Sequence, residues 1–219
     1  MPVVTGLLLS HRGRAKVYVD GEFWTELDAG VAMEHGLAEG IGLSFEELTE
    51  VRVAGEKPLA MSRALNVLGY RPRAEGELRE RLLRAGYAGE TVEVVLLRLK
   101  ELGYLDDGEF AREKVRSEAR KRYGPHRIYG SLRKAGVGEN TALGAIEEEF
   151  AQRNELEDAR AAAERRYSMY NIRENVGDAE AGAKANAQAR RVYYFLLRRG
   201  YSAEVCSGVA QTYRRAANK

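Results

Sequence analysis

The sequence predicts a mainly α-helical protein: three tandem three-helix repeats preceded by a small αβ module made of a β-hairpin and short helices. Three observations carry that prediction. A near-identical phrase recurs as LLRAGY at 82–87, LRKAGV at 132–137 and LLRRGY at 196–201. Strand-like alternation is confined to residues 3–27. The composition, 31% charged residues with only 4 prolines in 219 residues, suits surface-rich helices better than a β-sandwich.

The elements follow in order. VVTGLLLS reads as a strand, and RAKVYVDGEFWTEL reads as a hairpin in which Asp20-Gly21 has the chemistry of a tight turn. Val17 and Val19 alternate with Lys16, Tyr18 and Asp20, which allows one face to be buried. Phe23 and Trp24 are expected to hold this module together. Asp28 can cap a short helix over AGVAMEHG. Ser44 with Glu47 three residues later is a capping-box signature ahead of FEELTEVRV. The stretch AGEKP at 54–58 is read as a turn that closes the module.

Beyond Pro58 helical periodicity takes over. When the three phrases are aligned on Gly86, Gly136 and Gly200, the same offsets are apolar in each. Leu82, Leu132 and Leu196 precede the glycine by four residues, and Leu78, Ile128 and Val192 by eight. After it come Val92, Val95 and Leu96, then Ala142, Ala145 and Ile146, then Cys206, Val209 and Ala210. These spacings make one apolar helix face on either side of each glycine.

Each glycine is placed to end a helix in the left-handed conformation, and Tyr87, Val137 or Tyr201 after it can pack back on the last turn. The phrase is thus a corner between two helices. A further helix is expected before each corner, near 59–69, 107–122 and 154–170. Pro72 and Pro125 mark breaks, and Pro125 suits the first position of the helix it opens. NIRENVGDAEAGAKAN at 171–186 is read as a longer loop. The expected divisions are therefore 1–58 for the module, then 59–106, 107–151 and 152–219 for the repeats. A linear array of such units would expose a long surface.

One cysteine, Cys206, excludes an intrachain disulfide and is read as a small apolar core residue. The single cysteine suits a cytoplasmic setting and the lack of a long apolar run a chain without a membrane partner; a monomer is expected. Its net charge of +2 conceals blocks of opposite sign. Residues 1–58 hold 5 Lys/Arg against 10 Asp/Glu, residues 107–137 hold 9 against 4, and residues 184–219 hold 8 against 1. An acidic front and a basic helical body make an anionic partner plausible for the body.

Chemistry of the catalytic kind is not written here. There is no Walker-type phosphate cradle, no HExxH and no nucleophile elbow, and GIGLS at 40–44 lacks the context of a dinucleotide fingerprint. His11, His35 and His126 read as surface or helix-end residues. Acidic pairs read as solvated faces. No catalytic residue, metal ligand or cofactor is expected.

The basic residues are the stronger lead. Arg84, Lys134 and Arg198 stand two positions before the three corner glycines, where a cation offsets the helix dipole by about 0.3–1 kcal/mol and where binding a partner is an equal alternative. Arg120, Lys121, Arg122, His126 and Arg127 crowd one break, more cations than one helix end can use. Arg190, Arg191 and Arg199 add to the third repeat, and Arg71 and Arg73 flank Pro72. Tyr70 and Tyr123 can serve either as stacking groups or as packing at the breaks.

The segment ALNVLGYRPRAEGELRERLLRAGY, then LLRLKELGYLDDGEFAREKV, then YGPHRIYGSLRKAGV closely resembles the RecX family, bacterial regulators of the RecA recombinase. The resemblance is most specific over 60–150 and extends more loosely over the third repeat, where ANAQARRVYYFLLRRGY keeps the corner and replaces the family-like first-helix sequence. YVDGEF resembles a piece of the N-terminal extension of some members. The resemblance implies a tandem-repeat protein that binds the RecA filament on single-stranded DNA along its groove. It also implies restraint of ATP hydrolysis, strand exchange and co-protease action without catalysis by the regulator itself. The basic residues named above are then candidate contacts to the filament or its DNA.

A competing expectation is a direct binder of single- or double-stranded DNA whose corners enter grooves. Against it, ETVEVVLLRLKEL and ENTALGAIEEEF are apolar and acidic where a recognition helix needs Arg, Asn or Gln.

Overall fold

The computed structural model describes residues 1–10, 13–167 and 178–215. His11 lies outside the described residues, as does the part of the expected loop from 171 to 177. The chain divides into two units, Met1–Asp106 and Asp107–Lys219.

The first unit opens with an antiparallel sheet of β1 (Val4–Ser10), β2 (Arg14–Val19) and β3 (Glu22–Asp28), in that order. Asp20 and Gly21 join β2 to β3 with φ of 49° and 88°, the two left-handed residues that a two-residue hairpin turn requires. Asp28 caps α1 (Ala29–Glu34) by accepting from the Gly30 and Val31 amides. Ser44 caps α2 (Phe45–Tyr70), and the Glu47 carboxylate returns to the Ser44 amide at 2.7 Å, completing the capping box. Trp24 packs partly buried on the module's core of Val4, Ala15, Val17, Leu27, Ala32, Leu37 and Val51. Phe23 does not: at the hairpin end it stays 57% exposed, edge-on to Tyr18.

The turn expected at 54–58 is absent, because α2 runs through it as one helix of 26 residues. Pro58 lacks the amide that an interior helical position donates, and such a proline costs about 3 kcal/mol. Packing on both sides of it outweighs that. Gly55 lies so close to β3 that a Cβ there would stand 2.8 Å from the Leu27 side chain, while Ala60 and Ala64 are buried in the next core. One helix therefore serves the module and the first three-helix group together.

Between those contacts lies Glu56, 1% exposed. Its carboxylate accepts from Thr25 on β3, from Arg52 Nε at 2.8 Å, and from the Ala88 amide and Thr91 hydroxyl at 2.8 and 2.9 Å. Burial works to raise its pKa, but these donors outweigh burial and hold it below the ordinary carboxylate value. Ala88 and Thr91 belong to the start of α4 (Gly89–Glu101), so the charge also faces a helix N-terminus. With α3 (Glu75–Arg84), α4 packs on the second half of α2 around Leu78, Leu82, Val92, Val95, Leu96 and Leu99.

The second unit repeats the pattern twice. Its elements are α5 (Asp107–Arg120), α6 (Pro125–Lys134) and α7 (Glu139–Phe150), then α8 (Glu155–Arg166), α9 (Asp178–Arg198) and α10 (Ala203–Arg215). Residues 178–186, expected in a loop, belong to α9, whose alanines Ala185 and Ala189 are buried against Ala159, Ala162 and Ala163. Gly86, Gly136 and Gly200 have φ of 92°, 86° and 86°, and each aligned apolar position is buried. Pro125 is the first residue of α6. Cys206 is fully buried, and burial pushes its thiol pKa up to about 11, which keeps it protonated at neutral pH.

Candidate interaction surface

The cationic break at 120–127 and the corner at 198–201 are some 75 residues apart in sequence. They meet in the second unit. After α5 the chain turns through Arg122, a non-glycine residue with φ of 59°, and Gly124 leads into Pro125. The Gly124 amide donates to Arg199 O at 2.8 Å and the His126 amide to Gly200 O at 3.1 Å. Two orphan donors at the start of α6 are thereby satisfied by orphan carbonyls at the end of α9.

Two glycines permit this approach. A Cβ on Gly124 would stand 2.3 Å from Gly200 O, and a Cβ on Gly200 would stand 2.3 Å from the Arg127 amide nitrogen. Side chains close the joint. Arg199 Nη1 donates to the carbonyls of Lys121 and Arg122 at 2.7 and 2.9 Å, and Tyr201 Oη donates to Arg122 O at 3.0 Å. Those bonds hold the left-handed turn at Arg122. Burial, with Asp158 adding to it, pushes the Tyr201 phenol up to about 12, so it remains a donor throughout the neutral range. Tyr123 meets two cations over its ring, with the guanidinium carbon of Arg127 4.0 Å and that of Arg199 5.0 Å from its ring centre.

Several predicted cations thus have structural work at the joint: Arg199 ties carbonyls, and Arg127 stacks on Tyr123. Tyr123 takes the packing role left open for it, while Tyr70 is 88% exposed. Arg120, Lys121, His126, Lys134, Arg190, Arg191 and Arg198 are exposed, and Arg122 is half-buried. Among the described residues none of these eight has a carboxylate partner. No Asp or Glu occurs between 119 and 138 or between 181 and 203. Among the described residues the joint is therefore an uncompensated positive surface.

Arg71, Arg73 and Arg84 lie in the first unit and are neutralised there. Arg71 pairs with Glu77 at 2.7 Å, Arg73 with the same carboxylate, and Arg84 with Glu80 at 2.7 Å.

A second feature of the second unit escaped the sequence reading. A groove of about 680 Å³ runs between α9 and α10, with Arg190, Tyr193, Tyr194, Gln211 and Arg214 on its walls and, among the described residues, no acidic one in its lining. Arg214 could have been found as a cation in the last turn of α10, within the acid-poor C-terminal segment. Among the described residues no group of three His, Cys, Asp or Glu could hold a metal ion, and no helix is long and apolar enough to cross a membrane.

Fold and surface together define a class: tandem three-helix units carrying a basic corner. Models of the first and second three-helix domains of RecX match residues 60–99 and 106–146. The Regulatory protein RecX of Halorhodospira halophila is 38% identical over 144 residues, covering 64% of this chain and 80% of that protein. That of Lactobacillus johnsonii is 30% identical over 139 residues, covering 63% of this chain and 51% of that protein, so the chain spans about half the length of such a relative. A crystal structure of regulatory protein RecX superposes with a TM-score of 0.60 at 22% identity, covering 96% of this chain and all of that one, which shows the shared fold.

The chain belongs to the RecX family.

Proposed function

We propose that this protein is a non-enzymatic negative regulator of the RecA recombinase. It acts in the cytoplasm as a monomer, engages the RecA filament on single-stranded DNA along its groove, and inhibits ATP hydrolysis, strand exchange and co-protease activity. The observation that carries this reading is the joint of α6 with the α9–α10 corner, where Arg120, Lys121, Arg122 and Arg198, without carboxylate partners among the described residues, stand on backbone brought together at Gly124 and Gly200. Such a surface complements an anionic partner, and the close backbone contact beneath it fixes where the cations start from, which favours association. Family membership supports the choice of RecA as that partner.

The α9–α10 groove favours a second reading, direct binding of single-stranded nucleic acid. Arginines over a backbone path and tyrosines open to stacking are what such strands use, and Tyr194 is 52% exposed there.

Titrating the protein into ATP hydrolysis by the cognate RecA on single-stranded DNA, beside DNA binding by the protein alone at the same salt, separates the two. Substoichiometric loss of hydrolysis with weak DNA binding supports the filament regulator. Unchanged hydrolysis with tight, salt-sensitive DNA binding overturns it and leaves the nucleic-acid binder.

A further inference from the structure

The N-terminal module carries a surface of the opposite character. Between the β2–β3 hairpin and the first turns of α2 lies a groove of about 450 Å³. Phe23, Trp24, Phe45 and Leu48 are the largest apolar side chains that line it. Phe45 is 79% exposed and Phe23 57%, so two large aromatic side chains are left to solvent on one concave feature. Phe45 follows the Ser44 cap directly, a position at which the capping box asks nothing of the side chain and a polar residue would serve the helix as well. Exposed aromatics gathered in a concavity are the residue type and the shape of a protein-binding anchor point.

The charges around the groove give its sign. Asp20, Glu22 and Glu90 line it. Among the described residues Glu22 and Glu90 have no cationic partner, and Asp20 only accepts the Val3 amide at 2.9 Å. The one cation in the lining, Arg52, is held by the buried Glu56 at 2.8 Å and is neutralised there. The whole segment 1–58 has twice as many acidic as basic residues. A phosphate-bearing ligand is repelled from such a rim, and a cationic one is attracted.

We propose that this groove docks a segment of a partner protein that presents an apolar side chain as anchor, seated between Phe23 and Phe45, with Lys or Arg residues flanking it toward Glu22 and Glu90. The site is small, which suits a short, reversible contact. It is independent of the cationic joint, because it uses none of the residues of the second unit.

Trp24, the only tryptophan in the chain, lines the groove and reports its occupancy. The full chain is titrated with a synthetic twelve-residue peptide of leucines set among lysines, with the same peptide carrying glutamates instead, and with oligo-dT, following Trp24 emission and peptide anisotropy. Saturable binding of the lysine peptide alone, with a shift of Trp24 emission to the blue, is expected. Phe45→Ala should weaken it at least about fivefold with unchanged helix content, since that side chain is solvent-exposed. The pair Glu22→Gln and Glu90→Gln should weaken it by about fivefold and flatten its salt dependence. The proposal is overturned if the lysine peptide does not bind, if it binds Phe45→Ala equally well, or if the glutamate peptide or oligo-dT binds as tightly. A Trp24 signal that changes with protein concentration in the absence of peptide would overturn it in favour of a second copy of this chain.

Discussion

The first and third corners of this protein are written almost alike, LLRAGY and LLRRGY, and both end a helix at a glycine with φ near +90°. They treat their arginines in opposite ways. Around the first corner nearly every cation has a carboxylate: Arg71, Arg73 and Arg81 share Glu77, Arg79 bridges Glu75 and Glu93, and Arg84 meets Glu80. Around the third, Arg199 binds backbone carbonyls, and among the described residues Arg190, Arg191 and Arg198 have no acid to meet. The leucines and the glycine write the corner. The neighbouring charges decide whether its arginines are absorbed by the fold or displayed.

The largest expected difference between the two corners lies at their glycines. Gly86→Ala puts a Cβ into open space at an unfavourable φ, and about 1–2 kcal/mol of stability should be lost. Gly200→Ala meets the same φ and also the backbone of Arg127, so the loss should be about 4 kcal/mol, read as a shift in the denaturation midpoint of the second unit. Equal losses would mean that the α6–α9 contact is not formed in solution.

Charge carries the next effect. In Glu56→Gln the buried acceptor of four donors is weakened, and about 2 kcal/mol of the first unit's stability should go. Because the folded pKa lies below the unfolded value of 4.5, the contribution is complete above that value and is lost as pH falls through the folded pKa. Denaturation at pH 7 and at acid pH should therefore show the wild-type protein losing more stability than Glu56→Gln on acidification. A smaller effect is expected at the joint, where Tyr201→Phe removes one hydrogen bond to Arg122 O and should cost about 1 kcal/mol in the same denaturation assay.

These effects mark what could be read from the sequence and what could not. Helix faces and corner glycines were legible because they are local: Leu82, Leu132 and Leu196 are set by helical spacing, and a C′ glycine needs only its own φ. Pro58 misled for the same reason, since local preference argues for a break and only the packing of Gly55 on Leu27 and of Ala60 in the next core shows why the helix continues. Glu56 was invisible, as its partners are spread over residues 25, 52, 88 and 91. The cluster at 120–127 was visible as excess charge. Its closure by Arg199, Gly200 and Tyr201 was not, because no spacing rule links residues so far apart.

The most direct test sets the two corners against each other in one assay, inhibition of ATP hydrolysis by the cognate RecA on single-stranded DNA. A protein carrying Arg120→Glu, Lys121→Glu and Arg198→Glu should need about tenfold or more of itself to reach half-inhibition, whereas Arg84→Glu should shift that point less than about twofold. Equal shifts for the two proteins, or none for the triple variant, would contradict the assignment of the cationic joint as the surface that meets the filament.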